Sequence, residues 1–112
     1  MKRIPRRGDV YWVALDPALG SEIQKNRPAI IVSNNSCNAF GARVVVLPLT
    51  SNVESLYSGE ALVTVKGKPA RALGDQIRSP DKSRLRSRIE RLSQDELAAV
   101  EEAVRVTLAL WP

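Results

Sequence analysis

The sequence predicts a small, strongly curved antiparallel sheet or barrel with one C-terminal helix against its side. Two observations carry that prediction: apolar residues recur with a period of two near the start of the chain, and from Ser93 the period becomes helical. Between them lie short runs rich in β-branched residues, separated by turn-forming segments.

Asp9 to Leu15 alternates as a first strand, with Tyr11, Val13 and Leu15 on one face and Val10, Trp12 and Ala14 on the other. Asp16 to Asn26 has loop composition, through Pro17, Gly20, Ser21 and Asn26. Pro28 to Ser33 and Arg43 to Leu49 read as two neighbouring central strands, buried on both sides because their apolar runs are nearly unbroken. Pro28 is expected at the first position of its strand, where a missing amide is tolerated. Asn34 to Gly41, rich in Asn, separates the two. Ser51 to Gly59 again has loop composition. Glu60 to Val65 is a fourth strand ending in the turn Lys66-Gly67-Lys68-Pro69, Ala72 to Arg78 a fifth, and Leu85 to Leu92 a sixth with alternating charges. Ser93 and Glu96 have the spacing of a capping box, and Leu97, Val100, Val104, Leu108 and Trp111 form the apolar stripe of the closing helix.

At 112 residues the chain has the length of a single domain, since two cores at this size would each be too small to fold alone. Its balance of 44% hydrophobic and 26% charged residues is that of a globular protein rather than a disordered one. No apolar run approaches the roughly 20 residues that span a bilayer. The basic N-terminus has no apolar core of a signal peptide, so a cytoplasmic location is expected. Cys37, the one cysteine, can make no internal disulfide and no cysteine-based metal site.

The chain contains no histidine. That excludes serine triads, cysteine–histidine pairs, two-histidine ribonuclease chemistry and histidine-ligated zinc. The formal charge of +5 is unevenly placed: residues 1–8 hold +4 and residues 66–91 hold +6, whereas residues 9–65 hold −2 and residues 92–112 hold −3. Two basic blocks favour a polyanionic partner, nucleic acid first.

Four segments, in order, resemble one family. Arg7-Gly8-Asp9-Val10-Tyr11-Trp12 leads into a strand, and Gly20-Ser21-Glu22 precedes Arg27-Pro28 and an apolar strand ending in Ser33-Asn34. Val46-Leu47-Pro48-Leu49-Thr50-Ser51 and Asp75-Gln76-Ile77-Arg78-Ser79-Pro80-Asp81-Lys82 follow. Together they resemble the MazF/PemK toxins over residues 7 to about 85. The resemblance implies a CcdB/PemK-type fold, an SH3-like curved sheet, in a homodimer that cuts single-stranded RNA without metal or other cofactor and is blocked by a small antitoxin protein. The implied chemistry is attack of a ribose 2′-hydroxyl on the adjacent phosphate, leaving a 2′,3′-cyclic phosphate and a 5′-hydroxyl.

Such a reaction needs a proton acceptor near the 2′-oxygen, a donor near the departing 5′-oxygen and charge stabilisation around the phosphorus. Arg27 matches the family's catalytic arginine, and a forked guanidinium suits phosphate oxygens. Because arginine pKa values lie above about 12, charge stabilisation is its expected role. Thr50 matches the catalytic threonine. Glu22 is the general-base candidate nearest in sequence. Asp75 aligns with an aspartate that some PemK-type members use as base, although Leu73 stands where those members carry an arginine. Ser21, Lys25, Ser51, Gln76, Arg78 and Lys82 are the expected RNA contacts, and no metal ligands are expected. Trp12 and Trp111 are read as core or dimer packing. Arg84, Arg86, Arg88 and Arg91 are expected largely on one strand face, as an RNA or antitoxin surface. The competing reading is a CcdB-like protein that binds gyrase without cleaving nucleic acid; Arg27 and Thr50 have work only in the nuclease.

Overall fold

The computed structural model describes residues 3–15 and 26–110. The alternating segment at Asp9 becomes β1 (Asp9–Val13), followed by β2 (Arg27–Ile31), a short helix α1 (Asn35–Phe40), β3 (Val46–Thr50), β4 (Glu60–Val65) and β5 (Lys68–Leu73). Two 3-10 turns, Gly74–Gln76 and Lys82–Arg84, precede β6 (Leu85–Arg91), and α2 (Gln94–Leu108) closes the order. All named strands join one six-stranded sheet in the order β4-β5-β3-β2-β1-β6, with every pairing antiparallel. The predicted sheet-plus-helix architecture is therefore the observed one.

The two faces of β1 enter two different cores, as alternation requires. Val10 joins Ile30, Leu47, Leu49, Ala61, Val63 and Ala72 beneath Val100 and Ala103 of α2. Tyr11 and Val13 join Ala29, Ile31, Val44 and Val46 on the opposite face. That second core is covered by the chain itself. After β5 the segment bridges to β3 at Val46↔Arg78 and to Arg43 at Asp81, and the Ala14 amide donates to the Arg84 carbonyl at 2.9 Å just before β6. This crossing from one side of the sheet to the other gives the fold its barrel-like closure.

Several local expectations are corrected. Asn34–Gly41 is not only a connection: Asn34 caps α1 by accepting from the Cys37 amide at 2.8 Å, a helix of 6 residues, too short for apolar periodicity to reveal. The β4–β5 turn is shorter than predicted. Lys66 and Gly67 take φ of 51° and 76°, the paired positive values of a two-residue hairpin, so β5 begins at Lys68 rather than Ala72. The predicted strand to Arg78 breaks instead at the 3-10 turn Gly74–Gln76. There a Cβ on Gly74 would lie 2.2 Å from the Gly59 carbonyl oxygen, a close approach only glycine permits. Arg27, not Pro28, opens β2. Trp12 is 42% exposed and does not belong to this chain's core, and Trp111 lies outside the described residues.

The capping box at α2 forms as expected, with Ser93 accepting from the Glu96 amide at 3.2 Å and Glu96 accepting in return from the Ser93 amide at 3.3 Å. Glu96 also accepts from the Thr64 amide at 2.6 Å, which ties the start of α2 to β4. Of the stripe, Val100 is fully buried and Leu97 and Val104 pack at the edge of the core, but Leu108 is 46% exposed.

Candidate active site

β2 and β3 pair as Ala29↔Pro48, Ile30↔Leu47 and Ile31↔Val46. The same register, continued by two residues to the ends of both strands, sets Arg27 opposite Thr50. On the outer sides, Arg27 pairs with Val13 of β1 and Thr50 pairs with Arg71 of β5. Directly opposed residues in antiparallel strands share a face with Cα atoms about 5 Å apart. Val13, Arg27, Thr50 and Arg71 thus form one row across the sheet, on the face turned away from α2. Near β1 this face is roofed by the second core, whereas Arg27 is exposed and Thr50 half-buried. A cation therefore stands on each side of a hydroxyl at an accessible position.

The Thr50 side chain is held locally: its Oγ1 accepts from the Asn52 amide at 3.2 Å. Asn52 in turn accepts from the Glu54 amide at 3.1 Å, so the exposed loop after Ser51 leaves β3 through two side-chain-directed turns. Ser51 lies beside Thr50 and is exposed, as an RNA contact requires.

Not every predicted site residue lies in this row. Ser21, Glu22 and Lys25 fall outside the described residues. Asp75 and Gln76 are exposed on the 3-10 turn Gly74–Gln76. Arg78 is exposed and exchanges two backbone hydrogen bonds with Val46, at 2.8 and 3.0 Å. Val46 is four residues from Thr50 on β3, so Arg78 sits about 13 Å along the sheet from the row. Arg78 lines a cavity of about 360 Å³ with Arg43 and Arg84. Lys82 lines a larger one of about 650 Å³ with Arg3, Arg86, Arg88 and Tyr11. The predicted contacts are thus spread over a basic surface, not gathered at one point.

Tyr11 is 5% exposed and its hydroxyl, buried at the wall of that larger cavity, has no hydrogen-bond partner among the described residues. Burial, followed by the negative charge of Asp9, holds the phenol above the usual tyrosine range.

The arginine series is corrected in one respect. Arg84 belongs to the 3-10 turn Lys82–Arg84 before β6, and β1 and β6 shift register between Val10 and Tyr11. That irregularity brings Arg88 and Arg91, three residues apart, onto the same carboxylate: their Nε atoms lie 3.1 and 3.2 Å from Asp9 Oδ1. Two of the four cations are therefore committed to a buried acid, instead of standing freely as a stripe.

Arg71 was missed by sequence reasoning. Leu73 occupies the position where some family members carry arginine, but Arg71 lies two residues earlier on the same face of β5, directly across from Thr50. Only the strand register could have found it.

A curved antiparallel sheet with one C-terminal helix carries the Arg27–Thr50–Arg71 row on the face away from that helix, and a hydroxyl flanked by guanidinium-bearing positions marks the class of small basic proteins suited to hold a phosphodiester. The chain belongs to the family of PemK-like, MazF-like toxins of type II toxin-antitoxin systems, whose model matches residues 6–108. It is 41% identical over 115 aligned residues to the endoribonuclease MazF9 of Mycobacterium tuberculosis, covering 95% of this chain and 98% of that protein. The fold superposes on the MazF of a MazE–MazF crystal structure from Deinococcus radiodurans with a TM-score of 0.82 at 27% identity, covering 98% of this chain and 100% of that one. An endoribonuclease in complex with its cognate antitoxin, from a mycobacterial species, gives a TM-score of 0.77 at 25% identity, with 99% and 100% covered.

Proposed function

We propose that this chain is the ribonuclease toxin of a toxin-antitoxin pair, cutting single-stranded RNA without a metal. The observation that carries the reading is the opposition of Arg27 and Thr50 across β2 and β3. The ribose 2′-oxygen bonds to the adjacent phosphorus and its proton passes to a base. The bond from phosphorus to the 5′-oxygen breaks, and that oxygen takes up a proton. Arg27 neutralises the two non-bridging oxygens as charge grows, and the Thr50 hydroxyl donates to one of them. Ser51 adds a further donor. Glu22 and Asp75 are the base candidates; Asp75 is solvent-exposed at the end of β5, where RNA can reach it.

Gln76, Arg78 and Lys82 hold RNA away from the cut bond, and Ser21 and Lys25 hold it near the cut bond. The cleaving relative at 41% identity favours this reading over a gyrase-binding one. Antitoxin complexes of related toxins support a cognate antitoxin as partner here, with an acidic segment competing for the basic face. The active form is a cytoplasmic homodimer.

Purified protein is expected to cleave single-stranded RNA in EDTA and to leave 5′-hydroxyl ends. Arg27→Ala and Thr50→Ala should each reduce the rate at least about a hundredfold, the loss seen when one transition-state donor is removed. Loss of cleavage on chelation would overturn the mechanism, and full activity in Arg27→Ala would overturn the assignment of that residue.

A further inference from the structure

The loop from Ser51 to Ser58 carries an aromatic residue held by unusual means. Tyr57 is clamped at both backbone groups by Glu60: its amide donates to Glu60 Oε1 at 2.9 Å, and its carbonyl accepts from the Glu60 amide at 3.1 Å. The residue is 64% exposed, yet its ring lies against the Arg71 guanidinium at 5.9 Å from ring centre to Cζ. Arg71 is itself fixed. Its side chain is only 14% exposed, its Nε lies 3.5 Å from Glu60 Oε1, and its guanidinium donates to the Ser55 carbonyl. A long cationic side chain at a strand position ordinarily extends into water, where its rotamer freedom is retained. Here it is folded back to join β5, the loop and the ring. Because Arg71 is the direct cross-strand partner of Thr50, the ring is anchored next to the Arg27–Thr50 row.

We infer that Tyr57 is a stacking platform for an RNA base next to the cleaved phosphate, and that Arg71 is the positioning residue that aims it. This rests on the ribonuclease reading. An exposed aromatic ring backed by a guanidinium presents one open face, and every base has a complementary π-face. The neighbouring cations and Thr50 favour nucleic acid over an apolar peptide as the occupant. Immobilising the ring before binding removes part of the ordering cost that a free loop tyrosine would impose on the complex.

The test uses steady-state cleavage of a short single-stranded RNA containing one cut site, and anisotropy of the same RNA with a 2′-deoxyribose at the cut position. Tyr57→Ala is expected to raise KM and Kd roughly tenfold while kcat stays within about twofold, and Tyr57→Phe to behave as wild type. Arg71→Lys should shift KM in the same direction, with the double variant no worse than Tyr57→Ala. Replacing one flanking nucleotide by an abasic ribose should cost the wild type the same factor and cost Tyr57→Ala nothing. Unchanged KM in Tyr57→Ala, or abasic penalties equal in the two proteins at every position, would overturn the inference while leaving the ribonuclease reading intact. A wild type that neither binds nor cleaves RNA would overturn both.

Discussion

Asp9 is fully buried and has three partners among the described residues: Arg88 and Arg91 through Oδ1, and the Arg6 amide donating to Oδ2 at 2.9 Å. A carboxylate is withdrawn from water at this cost only when such bonds replace hydration. Asp9→Ala should therefore lower stability by roughly 1.5–3 kcal/mol, the range for hydrogen bonds to charged groups, with the partial exposure of both arginines limiting the loss. The urea midpoint measures it, and a shift under about 0.5 kcal/mol would show that the cluster is not a stabilising unit. In the sequence, Arg7-Gly8-Asp9 marked a family motif; its physical work, to pin β6 to the start of β1, follows from contacts 79 and 82 residues away.

The 3-10 turn Gly74–Gln76 decides where β5 ends and where Asp75 and Gln76 are presented. It is wedged against the β3–β4 loop, where the Gly74 amide donates to the Gly59 carbonyl at 3.1 Å, and against Thr107 of α2, whose Oγ1 would lie 2.6 Å from an added Cβ. Gly74→Ala is expected to cost about 1–3 kcal/mol as overpacking against backbone that cannot yield. It should also lower cleavage by displacing the residues of the turn. Thermal melts beside cleavage rates check both, and unchanged values in each would show that the turn tolerates a side chain. Strand and helix periodicity announced β4 with its observed bounds, and β1, β6 and α2 with small errors at their ends. The turn and α1 escaped because each is shorter than the window in which a period can be counted.

At the scale of the whole molecule, the closing crossover gathers the two basic blocks of the sequence onto one face. Arg3 comes from the first, and Lys82, Arg86 and Arg88 from the second, around a single cavity. Single-stranded RNA that contacts three or four phosphates on this face should bind with a log–log salt slope of about −2 to −3. Affinity should accordingly fall some tens-fold between about 50 and 200 mM monovalent salt. Anisotropy titrations in that range test it, and a slope near zero would place RNA elsewhere.

By itself the sequence determined the class of fold, through a period of two that changes to 3.6 at a capped helix, because burial of alternate or every third to fourth side chain is a local pattern written along the chain. It also determined the family, and the exclusion of imidazole chemistry follows from composition alone. Only the tertiary structure decided that Arg27 and Thr50 stand opposite one another with Arg71 beyond, that Asp9 takes two arginines, and that Tyr57 has a guanidinium behind it. Those relations depend on strand register and on contacts between distant residues, and the shift of register between β1 and β6 shows why spacing alone could not supply them.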